Sequence, residues 1–274
     1  MSDKILLTET VDGVTTLTMN NPAKLNGWTA DMMYALRDAL SEAGRDDATK
    51  VLILTGTGDY YCAGVNLSAT LTLGHPQKLH ALIESQNAAL FDMFIDFPKP
   101  ILIAANGPAI GASVTSATLC NAIIASRTAT FSTPFAALGV TPEGCSSEVF
   151  PRLLGDAAPR MLGEEGYKPT ADEALEIGLV QRVVEPDALM AQAQAMARAW
   201  IAEGVEREYP AGMSREDLRE INARESKALA TAFLSPPFLR GQFQFLWGKK
   251  KYQPALMFLA LWRSQPLWGR LLRD

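Results

Sequence analysis

An α/β fold with a helical C-terminal part follows from three observations on this 274-residue chain. Apolar runs of strand length recur between Ile5 and Ser126, helical apolar spacings separate them, and beyond about Asp187 the strand-like runs cease. Strands and helices alternating at this interval imply a parallel or mixed sheet flanked by helices. From Ile5 to Met19 apolar and polar residues roughly alternate about Asp12-Gly13, a dipeptide suited to a tight hairpin turn. Thr29 then stands where a helix cap belongs, ahead of Met32, Met33, Leu36, Leu40 and Ala43 at helical spacing. Val51 to Thr55 reads as a buried strand. A second helical stretch runs from about Leu79 to Phe94 and stops near Pro98 and Pro100, and Ile101 to Ala105 forms the next strand. A short helix at about Ala112 to Leu119, a strand at Ala122 to Ser126 and a shorter one around Thr130 to Ser132 follow. The remainder reads as helices interrupted at Pro210, Pro236-Pro237, Pro254 and Pro266.

Composition removes several classes of function. With 48% hydrophobic and 20% charged residues the chain can bury a sizeable core. A net charge of -5 removes the broad basic field that sequence-independent nucleic-acid binding needs. The opening MSDKILLTET has no apolar run of signal-peptide length, and no segment reaches the ~18 apolar residues of a membrane span. A soluble, cytoplasmic protein is expected, and Leu272-Arg273-Asp274 is not a peroxisomal address. Cys62, Cys120 and Cys145 form no CxxC pair, which suggests neither a disulfide framework nor a zinc site; no metal is expected. Only His75 and His80 are available to a Ser-His-Asp apparatus, and both sit in or beside a polar stretch. Gly56, Gly58 and Gly64 do not match GxGxxG, Gly107 to Gly111 lacks the Lys-Ser/Thr of a P-loop, and no GxSxG elbow exists.

Two turns carry the chemistry that remains. YCAGVNL at Tyr61 to Leu67 and NGPAIGAS at Asn106 to Ser113 each place a glycine where an apolar strand gives way to a turn. Glycine tolerates the φ values and close approach that let such turns aim backbone N–H groups outward. Two donors aimed at one point make an oxyanion hole. A third segment, TPEGCSS at Thr141 to Ser147, adds Glu143 between a proline and a glycine. Should Glu143 reach the same cavity, the chain holds an enolate stabiliser and a base. Spacing alone favours ordinary strand-ending turns and a solvated Pro-Glu-Gly loop over catalysis.

These segments resemble the enoyl-CoA hydratase/isomerase family, the crotonase superfamily, from about Ile5 to Val184. YCAGVNL is similar to its first oxyanion loop and NGPAIGASVT to its second. AKLNGWT at Ala23 to Thr29 is similar to the acyl-CoA-contacting loop, and KPTADEALEIGLV at Lys168 to Val180 to a late helix-turn. FSTPFAALGVTPEGCSS at Phe131 to Ser147 looks most like the 3,2-enoyl-CoA isomerases of peroxisomal type.

The resemblance implies a crotonase-like spiral of repeated strand-strand-helix units. A core over residues 1–200 would carry the acyl-CoA site, and a helical region over 201–274 would serve oligomerisation as a homotrimer or hexamer. It implies Glu143 as the acid/base and the backbone N–H groups of Val65 and Ala112 as donors to the thioester oxygen. Lys24, Leu25, Ala63, Gly64, Asn66, Leu67, Gly111 and Phe135 are the implied substrate contacts, with no cofactor beyond the CoA thioester itself. Asn66 departs from the family's usual aspartate. The hydratases' two glutamate positions hold Thr115 and Phe135, so a water gripped by two carboxylates is unavailable.

An apolar wall of Phe131, Phe135 and Leu138 would raise the Glu143 pKa, although core packing explains each of these equally well. The lysine run Lys249, Lys250 and Lys251 suits either a nucleotide contact or a solvated face. The apolar stretch from Pro254 to Asp274 is expected against a neighbouring subunit. Alternatives are another crotonase-type reaction such as thioester hydrolysis, or a non-catalytic acyl-CoA-binding protein.

Overall fold

The computed structural model describes residues 4–65 and 74–272. Strands β1 (Leu6–Val11) and β2 (Val14–Met19) form the expected antiparallel hairpin, with Asp12 and Gly13 both at positive φ in its turn. Helix α1 (Ala30–Arg45) begins where Thr29 accepts a hydrogen bond from the Met32 N–H at 3.3 Å. It buries Met32, Leu36, Leu40 and Ala43, as the spacing predicts, while Met33 is only half-buried. Then come β3 (Val51–Gly56), α2 (Pro76–Ile95), β4 (Ile101–Ala105), β5 (Ala109–Ile110), α3 (Ala112–Ala117), β6 (Ala122–Ser126) and β7 (Phe131–Ser132). Next along the chain are α4 (Phe135–Leu138), α5 (Ser146–Leu154), α6 (Ala158–Gly163), α7 (Ala171–Glu176), β8 (Arg182–Val184) and α8 (Leu189–Glu203). The C-terminal part is α9 (Arg215–Phe233), α10 (Pro236–Gly248) and α11 (Tyr252–Trp268).

Six strands form one sheet in the order β1-β2-β3-β4-β6-β8, all parallel after the hairpin, while β5 and β7 pair as a small second sheet. Successive side chains on a strand point to opposite faces, and each face of the central sheet has its own cover. Val14, Val51, Ile53, Leu102, Ala104, Ala122 and Ile124 pack against Leu189, Ala193 and Ala197 of α8. Leu17, Leu52, Leu54, Ile101, Ile103 and Ile123 belong to the main core with α1, the second half of α2 and α5. A third cluster joins α9, α10 and α11 to Leu79 and Ile83 of α2.

Most prolines of the C-terminal part mark the helix breaks that the sequence suggests, Pro210 lying between α8 and α9. Pro236 and Pro237 open α10, and Pro254 sits in the first turn of α11, where a missing N–H costs no intrahelical bond. Pro266 lies within α11, two residues before its end. The short strand β8 offers only Val183 and Val184 as apolar residues, too few for a strand period to show, and escapes sequence reasoning.

One buried cation fixes the helices that surround the site. The Arg207 guanidinium donates to the carbonyls of Phe94 (3.2 Å), Leu119 (2.7 Å) and Phe97 (3.3 Å), tying the C-terminal ends of α2 and α3 together. Leaving those buried carbonyls unpartnered costs about 1–3 kcal/mol each. Arg207→Ala is therefore expected to lower Tm by roughly 10 °C in calorimetry. A Tm equal to that of the parent would show that the ends are held otherwise.

Candidate active site

The segment after β3 and the segment after β4 run side by side. The Cys62 N–H donates to the Pro108 carbonyl at 3.2 Å, and the Ile110 N–H donates to the Cys62 carbonyl at 3.0 Å. The Ser113 hydroxyl locks the pair, donating to the Cys62 carbonyl at 3.0 Å while accepting from the Ile110 N–H at 2.9 Å. On the other flank the Ala63 N–H donates to the Leu25 carbonyl (3.0 Å) and the Trp28 N–H to the Gly64 carbonyl (2.8 Å). Gly64 sits at φ +77°, and a Cβ there would stand 2.4 Å from the Ile110 carbonyl oxygen and 3.8 Å from the Ala112 nitrogen. Only glycine permits that approach.

Two backbone donors at these turns find no acceptor among the described residues. Ala112 opens α3, so its N–H lies among the groups for which a helix has no internal acceptor. The Val65 N–H has no acceptor among the described residues. Both residues line one cavity of about 120 Å³, together with Ala63, Gly64, Ile110 and Gly111.

Glu143 enters the same cavity from the turn between α4 and α5. It is the one ionisable side chain of the lining among the described residues. Its carboxylate has no hydrogen-bond partner there either. Burial, and behind it the negative charge of Glu225, push its pKa up to about 8. The turn is tightly seated: Gly144, at φ +64°, would place a Cβ 2.5 Å from the Phe91 ring and 2.8 Å from the Thr115 hydroxyl.

Below the turn lies a second buried carboxylate, from Glu225 of α9. It accepts from the Cys145 N–H (2.7 Å), the Ser147 N–H (2.9 Å) and the Ser147 hydroxyl (2.5 Å). Burial raises this carboxyl too, and the Ser147 and Cys145 donors pull against that rise.

The candidates named from the sequence separate into groups. Glu143, Val65, Ala112, Ala63, Gly64, Gly111 and Phe135 share the cavity. Lys24 and Leu25 are exposed and outside its lining; Leu25 braces the first turn through its carbonyl instead. Asn66 and Leu67 lie outside the described residues. Phe135 and Leu138 are wall residues, but Phe131 is packed in the main core and is not part of the wall. Its place is taken by Ile83 and Leu90 of α2, Val140, and Leu229 and Phe233 of α9. Asn87 also lines the cavity, its amide donating to the Ser226 hydroxyl at 3.0 Å.

Sequence reasoning missed the α9 contributors because they lie some 80 residues from Glu143. The available signal was the Ser214-Asp217 capping box that starts α9, with Leu218, Ile221, Glu225 and Leu229 on one buried stripe behind it. Asn26 of the AKLNGWT segment is buried and donates to the carbonyls of Thr57 and Tyr60, both at 2.8 Å. No described helix is long and apolar enough to cross a membrane.

Residues 9–218 match the enoyl-CoA hydratase/isomerase family. The chain is 35% identical over 254 residues to human enoyl-CoA delta isomerase 2, an alignment covering 90% of this chain and 64% of the human protein. It is 38% identical over 181 residues to mouse peroxisomal enoyl-CoA delta isomerase 3, covering 66% of this chain and 57% of that one. The chain thus spans less than two thirds of either relative. Among solved structures, an enoyl-CoA hydratase/isomerase from Pseudoalteromonas atlantica T6c superposes with a TM-score of 0.74 at 28% identity, covering 89% of this chain and 97% of that one. Pseudomonas aeruginosa OdaA superposes with a TM-score of 0.75 at 26% identity, over 89% and 99%. The match over residues 9–218 and the 35% identity to the human isomerase show that the chain belongs to the enoyl-CoA hydratase/isomerase family.

Proposed function

We propose that this protein is a 3,2-enoyl-CoA isomerase in which Glu143 carries a proton from C2 to C4 of a 3-enoyl thioester. The observation that supports it most is the pairing on a single apolar cavity of one carboxylate and two backbone amides, none of which has a hydrogen-bond partner among the described residues. The amides of Val65 and Ala112 would receive the thioester oxygen, so that charge developing on it meets fixed donors rather than water. Glu143 takes the C2 proton, leaving a dienolate, and returns it to C4, which gives the conjugated 2-enoyl product. One carboxylate serves as base and then as acid, and no further cofactor enters. Phe135, at one of the family's two hydration positions, lines the cavity, and Thr115, at the other, is buried beneath Gly144. A carboxylate with a pKa near 8 is a stronger base toward a carbon acid than an ordinary glutamate. We extend the proposal to a homotrimer or hexamer, for which family resemblance is the support.

The direct test is incubation with a 3-enoyl-CoA, monitored by ultraviolet absorbance of the conjugated thioester. Release of free CoA without conjugation would instead mark a hydrolase, and no turnover would mark a binding protein. The pH profile provides a separate check. The base form is required and burial holds it protonated at lower pH, so kcat/KM is expected to rise with pH and level off above about 8. A profile already flat from pH 6 would exclude Glu143 as the titrating base.

A further inference from the structure

We propose that Glu225 is a positioning residue for this site, its buried carboxylate seating the turn that aims Glu143 into the cavity. The inference rests on the isomerase proposal only for its kinetic consequences, since the geometry stands by itself. Three donors converge on Glu225 from Cys145 and Ser147, the second and fourth residues after Glu143. They belong to the N-terminal turn of α5, where unpaired N–H groups favour a negative charge. Donors alone surround the Glu225 oxygens, so the ionised carboxylate is the form that satisfies all three. Backbone at Gly144 and Cys145 is left-handed, at φ +64° for both, and a non-glycine residue holds that conformation only when its surroundings enforce it. Glu225 supplies the enforcement at Cys145, with the Cys145 thiol donating to the Leu218 carbonyl at 3.2 Å as a second tie to α9.

The same charge acts on Glu143 through space. It disfavours a second negative charge, which adds to the effect of burial in keeping Glu143 protonated until mildly alkaline pH. Other charged groups packed about this corner are arranged to leave that effect intact. Arg224 is exposed and paired with Glu148 at 2.8 Å, and Arg152 pairs with the same glutamate at 3.2 Å. Arg219 is taken by Asp96. On α2, Asp92 accepts from the Asn222 amide at 2.9 Å and is itself raised by burial. The Cys145 thiol is raised by burial and stays neutral. Among the described residues no cation faces the cavity to offset Glu225.

The test is a direct titration. Glutamate labelled with 13C at the side-chain carboxyl gives a resonance for Glu143, assigned by its loss in Glu143→Gln, and this resonance is titrated in the parent protein and in Glu225→Gln. The amide introduced by Glu225→Gln offers one acceptor and turns a donor toward the remaining N–H, so both charge and clamp are impaired. The expected result is a midpoint for Glu143 displaced to lower pH, with kcat on a 3-enoyl-CoA reduced on the order of 100-fold by the misplaced base and KM unchanged. A parental kcat overturns the proposal, and so does a midpoint equal to the parent's, because a carboxylate that merely holds the fold together would not move it. A displaced midpoint in a protein whose parent lacks isomerase activity upholds Glu225 and removes the isomerase reading instead. If Glu225→Gln does not fold, Ser147→Ala decides. Ser147 is exposed, its loss weakens the ionised Glu225, and a smaller displacement in the same direction is expected; none at all overturns the proposal.

Discussion

Glu143→Gln is expected to lower kcat for a 3-enoyl-CoA by about 1,000-fold or more, within the range for loss of a general acid–base, while KM stays near the parental value. Glutamine matches the carboxylate in shape, so the cavity and the Val65 and Ala112 amides remain as they are. What disappears is the only ionisable group of the described lining. Retention of more than a tenth of parental kcat would transfer the proton chemistry elsewhere. The same variant carries a prediction about stability whose sign follows from linkage. The folded pKa of about 8 lies above that of an unfolded glutamate, so between those values the native state binds more protons. Stability associated with Glu143 is therefore complete below the unfolded pKa and is lost as pH rises through about 8. Glutamine carries no such dependence. At pH 9 Glu143→Gln is expected to unfold at a temperature several degrees above the parent, and at pH 4 at much the same temperature. An equal Tm at pH 9 would mean that the carboxylate ionises in the fold without penalty.

Gly64→Ala is expected to be nearly as damaging to turnover, through the opposite partner in the reaction. The added methyl carbon would stand 2.4 Å from the Ile110 carbonyl oxygen, a backbone atom that no rotamer change can move aside. At φ +77° the substitution is strained even without that clash. The two turns must part, and the Val65 and Ala112 amides no longer converge. Loss of one oxyanion donor costs about 100- to 1,000-fold in kcat, which sets the expected loss here. A parental kcat in a folded Gly64→Ala protein would show that the first turn does not bind the thioester oxygen.

Much of this arrangement was legible in the residues because it is local. The Asp12-Gly13 hairpin, the Thr29 cap with its stripe of Met32, Leu36, Leu40 and Ala43, and the strands at Val51, Ile101 and Ala122 each depend on neighbours in the chain. Turn chemistry likewise exposes Gly64 and Gly111 to a reader of the sequence. Resemblance to a family added the pairing of those turns and the role offered to Glu143. What stayed hidden is long-range. Whether a Pro-Glu-Gly segment faces solvent or a cavity depends on what lies behind it, and Phe91, Thr115 and Glu225 reach it from three separate helices. Phe131 and Phe135 differ by four residues and look alike in composition, yet one begins a short helix at the cavity wall and the other belongs to a strand in the core. The proline at 266 misled because it falls in the last turn of α11, where little helix remains to be broken.

The distant origin of α9 bears on when the protein becomes competent during its synthesis. Chains emerge from the ribosome N-terminus first, and segments fold as they are released. The turns that hold the Val65 and Ala112 amides are complete once β7 has emerged, but the cavity has no far wall until Leu229 and Phe233 arrive. The Pro-Glu-Gly turn has no anchor until Glu225 does. A nascent chain that stalls after α8 would thus expose an apolar trough and an unrestrained acidic turn, a species for chaperones to shelter. The walled cavity with Glu143 held at its edge comes into being only once translation has passed α9.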